Sequence, residues 1–300
     1  MFEGATPAYW IAFAVIVAVL LFVDLALLHR GSRSVSVRTA WAWTAILAAL
    51  AFCFAIFLGH TQGKQRGLEF LSGYLVEGSL SIDNLFVFLL MFRSLKLNIE
   101  QQHEVLLWGV IGAIVMRAVF IFVGASLLAH FIWIEYVFGA ILLFAAIRLM
   151  RHQSEMDEPS GPIRWLMQRA GSGGEGHIPM RSFLLIILAV EATDLVFALD
   201  SVPAVLAITR DTFVVYTSNI FAILGLRSLY FALSHALDRL RLLHYGLAVI
   251  LAFVAIKMIL TRWVDIPVGW SLGFIVGVLA LFAILSRFTS PKPAEEQPQS

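Results

Sequence analysis

Glu191, Asp194 and Asp200 fall within the stretch EATDLVFALDSVPA (residues 191–204), inside a run from Phe183 to Ile208 that is otherwise almost wholly apolar. A second stretch, EGSLSIDN (77–84), places Glu77 and Asp83 inside the apolar run Leu68 to Phe92. In both stretches two acids stand six residues apart, 77/83 and 194/200, and a small polar residue follows the second one, Asn84 or Ser201. A run of about 20 apolar residues can cross a bilayer. A carboxylate at the bilayer centre costs on the order of 2.5–3.5 kcal/mol on insertion scales, so these acids must face a partner, an ion or water, not lipid.

Two bases, Arg117 and Arg227, sit equally deep in apolar runs. If each base pairs with one acid as a structural counter-charge, three of the five acids keep their charge. Such carboxylates either take up protons or hold a cation. A divalent ion plus a proton neutralises a surplus of three. The donors available are carboxylates, the Asn84 amide and the hydroxyls of Ser79, Ser81, Thr193 and Ser201. These hard oxygens suit Mg, Ca or Mn, and no His or Cys stands among them to favour zinc or copper. Residues six apart on a straight helix point about 120° away from each other. Both acids of a pair therefore share a cavity only if the cavity is wide or the helix is broken. Gly78 with its neighbouring serines would loosen the first copy, and Pro203 would weaken the second by removing a backbone bond. Asp83 and Asp200 rank first as ligands, with Asn84 and Ser201 beside them; Glu77 and Asp194 come second, and Glu191 third.

The elements that must position these groups are membrane helices. The chain is 60% hydrophobic and 14% charged, with a mean hydropathy of +0.87, against roughly 25% charged in soluble domains. A net charge of +1 offers no nucleic-acid footprint. Nine apolar runs follow: Ala8–Leu28, Ala40–Leu58, Leu68–Phe92, Val105–Ala129, Ile132–Met150, Phe183–Ile208, Phe213–Leu233, His244–Thr261 and Val268–Leu285. Nothing alternates with period two, so an all-α polytopic protein is expected. The start, MFEGATPAY, lacks a basic region, so the first run reads as a retained helix. One set of connecting segments carries Arg30, Arg33, Arg38, Arg93, Lys96, Arg148, Arg151, Arg164, Arg169, Arg181, Arg239, Arg241, Arg287 and Lys292. The other set carries only Lys64, Arg66, Arg210 and Arg262. The positive-inside rule then places the N-terminus outside and the C-terminus in the cytoplasm.

The domain reading is one transmembrane unit, 1–288, with a cytoplasmic loop at 151–181 and a disordered tail at 289–300. Within the unit two copies of a three-helix repeat are expected, about 68–150 and 183–262. GVIGAIVMR (109–117) aligns with NIFAILGLR (219–227), and LLFAAIRLM (142–150) with LAFVAIKMI (251–259). Three spans separate the copies, so the copies lie inverted, a pattern that points to a transporter whose site lies at the repeat interface. The loop is read as an ordered linker, with one interfacial turn at Pro162–Arg169 as the alternative. Asp24 and Lys257, near the ends of their runs, read as charges that snorkel, and the histidines as solvated. Gly273 and Gly277 form a GxxxG packing motif, the basis for a homo-oligomer contact. The one cysteine, Cys53, excludes an internal disulfide.

EGSLSIDN and EATDLVFALDSVPA resemble the signature stretches of the TerC family of integral membrane proteins, which belongs with the LysE-type exporters. The resemblance covers all nine runs. It implies a bacterial inner-membrane location, Mn(II) efflux with Glu77, Asp83, Asp194 and Asp200 as transport acids, and, in some members, a role beside metal insertion into secreted proteins and hence secretion-machinery partners. The function expected is a secondary transporter exporting a divalent cation, Mn(II), by proton antiport, with no tightly bound cofactor. The rival is a membrane helper for insertion or metallation whose buried charges are structural. An intramembrane aspartyl protease would share a proton between two acids, but neither Asp83 nor Asp200 stands in a GxGD motif.

Overall fold

The computed structural model describes residues 6–28, 37–131, 133–151, 161–170, 179–233, 243–260, 263–264 and 266–289. Ten helices lie among them: α1 (Pro7–Leu28), α2 (Val37–Thr61), α3 (Lys64–Ser94), α4 (Ile99–His130), α5 (Ile134–Arg151), α6 (Gly161–Ala170), α7 (Met180–Leu206), α8 (Thr212–Leu233), α9 (Leu243–Leu260) and α10 (Val268–Thr289). Each expected apolar run falls on one helix. The chain is an all-α, multi-pass membrane protein. Seven of the helices are long and apolar enough to cross a bilayer; α5 and α9 have 18 residues each, near the lower length for a span. The expected tail beyond Thr289, and most of the loop outside α6, lie outside the described residues.

Burial is inverted relative to a soluble protein. Arg117 and Glu77 are 1% and 0% exposed, while Val115, Val119 and Val123 on the same segment of α4 are more than half exposed. That is the distribution expected when the outer surface meets lipid and the polar groups must be satisfied inside. Trp133, Trp263 and Trp270 are exposed near helix ends, where indole rings favour the membrane interface.

The packing carries the symmetry of the repeat. Helix α3 packs on α8 and α4 on α7, which pairs the first helix of each copy with the second helix of the other; α5 packs on α9, third against third. Exchanging the copies maps these three pairings onto one another. Helices α1, α2 and α10 lie outside this exchange: α2 covers α3 and α8, and α10 covers α3 and α9. One close approach fixes the centre. A Cβ at Gly73 would stand 2.7 Å from Ser218 Oγ of α8, so the absence of a side chain lets α3 and α8 close together one turn before Glu77.

Three expectations change. The segment expected as a linker contains a helix, α6, which buries Ile163, Met167 and Ala170 against α7. Their spacing of four and three puts them on one face, while Trp165 stays exposed under the Arg169 guanidinium, 5.0 Å from its ring centre. The helix breaks expected at Gly78 and Pro203 are absent: α3 and α7 run unbroken through both. A single glycine costs a helix only about 1 kcal/mol, and Pro203 lies three residues from the end of α7, where Ala207 N–H still reaches its carbonyl at 3.0 Å. Finally, Asp24 and Lys257 both find partners inside the protein. Asp24 is buried and Lys257 Nζ donates to Ser271 Oγ of α10 at 3.0 Å.

Candidate functional site: a carboxylate cluster around a buried arginine

Helix α4 delivers Arg117 to the point where both copies of the repeat meet. Its guanidinium contacts four residues from three other helices. Nη1 donates to Glu77 Oε1 of α3 at 2.5 Å, to Ser201 Oγ of α7 at 2.9 Å and to Asn219 Oδ1 of α8 at 3.1 Å. Nη2 and Nε donate to Asp194 Oδ1 and Oδ2 of α7 at 3.2 and 3.3 Å. The remaining Glu77 oxygen accepts from Asn219 Nδ2 at 2.8 Å. The planar fork of arginine suits such two-oxygen contacts, which a lysine cannot reproduce. One base therefore holds two acids, not one.

Glu191 stands one turn before Asp194 on α7, where residues three apart are neighbours. Both of its carboxylate oxygens are buried and neither has a hydrogen-bond partner. The carboxylate rests against Gly112 of α4, where any Cβ would overlap it. A glycine thus makes the notch that the acid fills.

The other predicted residues are placed as follows. Asn84 and Ser81 are buried in α3. The hydroxyls of Ser79 and Thr193 donate to the carbonyls of Leu75 and Ala189 on their own helices, at 2.5 and 2.7 Å, which leaves their lone pairs free. Asp200 is half-buried on α7, beside the exposed Leu199, and makes no contact with the Arg117 network. The side chain of Asp83 lies outside the described residues. Among the described residues no three His, Cys, Asp or Glu side chains gather closely enough to hold a metal ion between them. The cluster is organised by Arg117, and of the pair ranked first only Asp200 can be placed, outside it.

Arg227 pairs with neither acidic stretch. Its Nη1 donates to Asp24 Oδ2 at 2.9 Å, so a sixth acid, read from the sequence as a snorkelling charge, is its partner. Sequence reasoning also missed Asn219. The signal was present: a lone amide between Ser218 and Ile220 in an apolar run is a costly group that needs a partner.

A polar cavity of about 270 Å³ lies at the start of α3 and the end of α7, lined by Gln65, Glu69, Glu135, Thr209, Arg210 and Lys257 among others. Thr209 Oγ1 donates to Glu69 Oε2 at 2.6 Å, and Arg210 pairs with the buried Glu135. These contacts tie the α7–α8 turn to α3 and α5.

The pattern described as the integral membrane protein TerC family matches residues 62–294. The chain belongs to the TerC family. A protein of Escherichia coli K12 named "Putative membrane-bound redox modulator Alx" is 38% identical over 95% of this chain and 96% of its own length. An uncharacterised membrane protein of Myxococcus xanthus is also 38% identical, over 95% of this chain and 93% of its own. A third, from Rickettsia felis, is 33% identical over 92% and 96%. No solved structure matches the chain. The family match begins at residue 62, so it covers α3 and every later helix but neither α1 nor α2, whereas the relatives extend across the N-terminal helices too.

Proposed function

We propose that this TerC-family protein is a secondary transporter that exports a divalent cation, Mn(II), through the carboxylate cluster between its two repeats. Glu191 carries the proposal. A carboxylate with both oxygens buried and no donor in reach is among the costliest groups a protein can hold, unless it binds a proton or a cation. It lies one turn from Asp194, whose charge is shared with Arg117. Glu77 and Asp194 together exceed the single charge of Arg117 by one, and Glu191 adds a second. That surplus of two matches one divalent ion. Glu191 and Asp194 are then the central ligands, with Ser201 near them. Asp200 and Asp83, at other heights on α7 and α3, with Asn84, are steps along the path by which the ion arrives and leaves.

Opening the site requires Arg117 to release at least one acid, because both Asp194 oxygens are engaged. The symmetric packing of the copies supplies a way to do so: rocking one copy against the other exchanges their contacts without breaking helices. Proton antiport follows if the emptied carboxylates reload with protons. The orientation that fits the basic loops is N-terminus outside and C-terminus in the cytoplasm of the bacterial inner membrane, with the polar cavity at the outer mouth.

A second reading is favoured by one observation. Arg117 and Arg227 each pair with an acid inside the protein, as structural charges do, which suits a helper for insertion or metallation of secreted proteins. It leaves Glu191 without a role. The relatives' name suggests redox work, but a chain with one cysteine forms no internal disulfide and so cannot run dithiol exchange alone.

The deciding experiment is Mn(II) uptake into everted membrane vesicles containing the protein, followed with a Mn-responsive dye, for the unaltered chain and Glu191→Gln. Uptake that vanishes in the variant at equal membrane level supports transport. Equal uptake by both, or none by the unaltered chain, removes it.

A further inference from the structure

A second buried charge pair lies apart from the acid cluster. Arg227 and Asp24 are 2% and 6% exposed. Trp43 of α2 donates from Nε1 to Asp24 Oδ1 at 2.8 Å, leaving Oδ2 to Arg227. The His103 ring of α4 lies 3.4 Å from Arg227 Nη2 and stacks on Phe231, 3.8 Å between ring centres. The repeat makes Arg227 the counterpart of Arg117, yet the two bases carry different loads. Arg117 bridges both copies. Arg227 turns to α1, a helix outside the repeat and outside the residues that the family pattern matches.

Asn219, a member of the acid cluster, precedes Arg227 by eight residues on α8, about 12 Å of helix. Arginine stays charged in any protein setting. At that distance a bare unit charge opposes a divalent cation by roughly a hundredfold in affinity, at the effective dielectric that describes buried sites. Paired with Asp24, the charge is cancelled where it stands.

We propose that Asp24, oriented by Trp43, neutralises Arg227 and so preserves the negative potential of the cation site: α1 sets the affinity of a site it does not touch. This rests on the transport reading above. It assigns Asp24 and Trp43 as positioning residues that act through Arg227, and it gives the N-terminal helix pair a task in selecting charge.

The test is the apparent KM for Mn(II) in everted vesicles, at matched membrane levels, for the unaltered chain, Asp24→Asn, Arg227→Met and the double variant. Asp24→Asn leaves a bare cation, and KM is expected to rise about tenfold to a hundredfold. Arg227→Met removes the cation, and KM is expected to stay level or fall. The double variant removes both charges and should return KM close to the unaltered value. A purely structural pair would lower the amount or the maximal rate in both single variants and leave KM alone. Equal KM values in the two single variants overturn the inference. Should Asp24→Asn fail to reach the membrane, the other two variants decide, since a raised KM in either overturns it. No uptake by the unaltered chain removes the transport reading and this inference with it; uptake with unmoved KM removes the inference alone.

Discussion

Asp194 and Ser201 both bond the guanidinium of Arg117, at 3.2 and 2.9 Å, from positions seven residues apart on α7. Seven residues fall about 20° short of two full turns, so the pair shares one face. Asp200, next in sequence to Ser201, is turned about 100° away and stands outside the network.

Removing the shared base should unmake the protein. Arg117→Met strands Glu77 and Asp194 together, and losing one member of a buried pair costs about 3–5 kcal/mol. Membrane levels, read by in-gel fluorescence of a tagged chain, are expected to fall sharply. Arg117→Lys should rescue only in part, because an ammonium cannot fork between both oxygens of Asp194. Normal levels with Met at 117 would refute the pairing.

Gly112 should tolerate no side chain. Alanine there overlaps the Glu191 carboxylate, and overpacking of this kind costs about 1–3 kcal/mol. Mn(II) uptake by Gly112→Ala is expected to collapse while most of the protein still reaches the membrane. Unchanged uptake would mean that the notch does not seat the acid during transport.

Asn219→Leu removes the donor to Glu77 and an acceptor for Arg117. A buried polar group left unpaired costs about 1–3 kcal/mol. The thermal midpoint of the detergent-solubilised protein should drop, and Asn219→Asp, which adds a charge beside Glu77, should lower it further. An Asp variant as stable as the unaltered chain would argue that the cluster already carries a compensating proton.

Asp200→Asn separates path from scaffold. Asp200 has no bond to either buried arginine, and its one charge neighbour, Arg148, is exposed, so losing its charge strands no buried partner. Membrane levels should hold while Mn(II) uptake falls at least tenfold. Full uptake would take Asp200 off the path and leave Glu191 and Asp194 as the working acids.

Topology is checked with single cysteines at Gln62 and Ser172 in a Cys53→Ser background. Opposite-side labelling by a membrane-impermeant maleimide is expected. Labelling from the same side would break the inverted arrangement.

Much of this was legible in the sequence because lipid removes choices. An apolar run long enough to span must be a helix, and a charge inside it must find company, so the helices and the importance of Glu77, Asp194, Arg117 and Arg227 follow from composition and position. Which charge meets which does not follow. The spacing of six could not show which residues of α7 face Arg117; the helical period brings together residues seven apart, as Asp194 and Ser201 are. The partners Arg227–Asp24 and Asn219–Glu77 depend on how α1, α3 and α8 are laid side by side, and no local pattern encodes that. Helix α6 was written in the spacing of Ile163, Met167 and Ala170, but ten residues between polar segments gave too short a period to stand out.

The Asp24–Arg227 contact closes a separation of 203 residues, and this has a consequence for biosynthesis. Glu77 and Arg117 lie on successive helices and can enter the bilayer as a neutralised hairpin. Asp24 has no such neighbour. At ribosomal rates of about 5–20 residues per second, its partner emerges about 10–40 s later. Until then the charge of Asp24 favours the water boundary over the bilayer interior, so α1 is expected to reach its final depth only after α8 has been made.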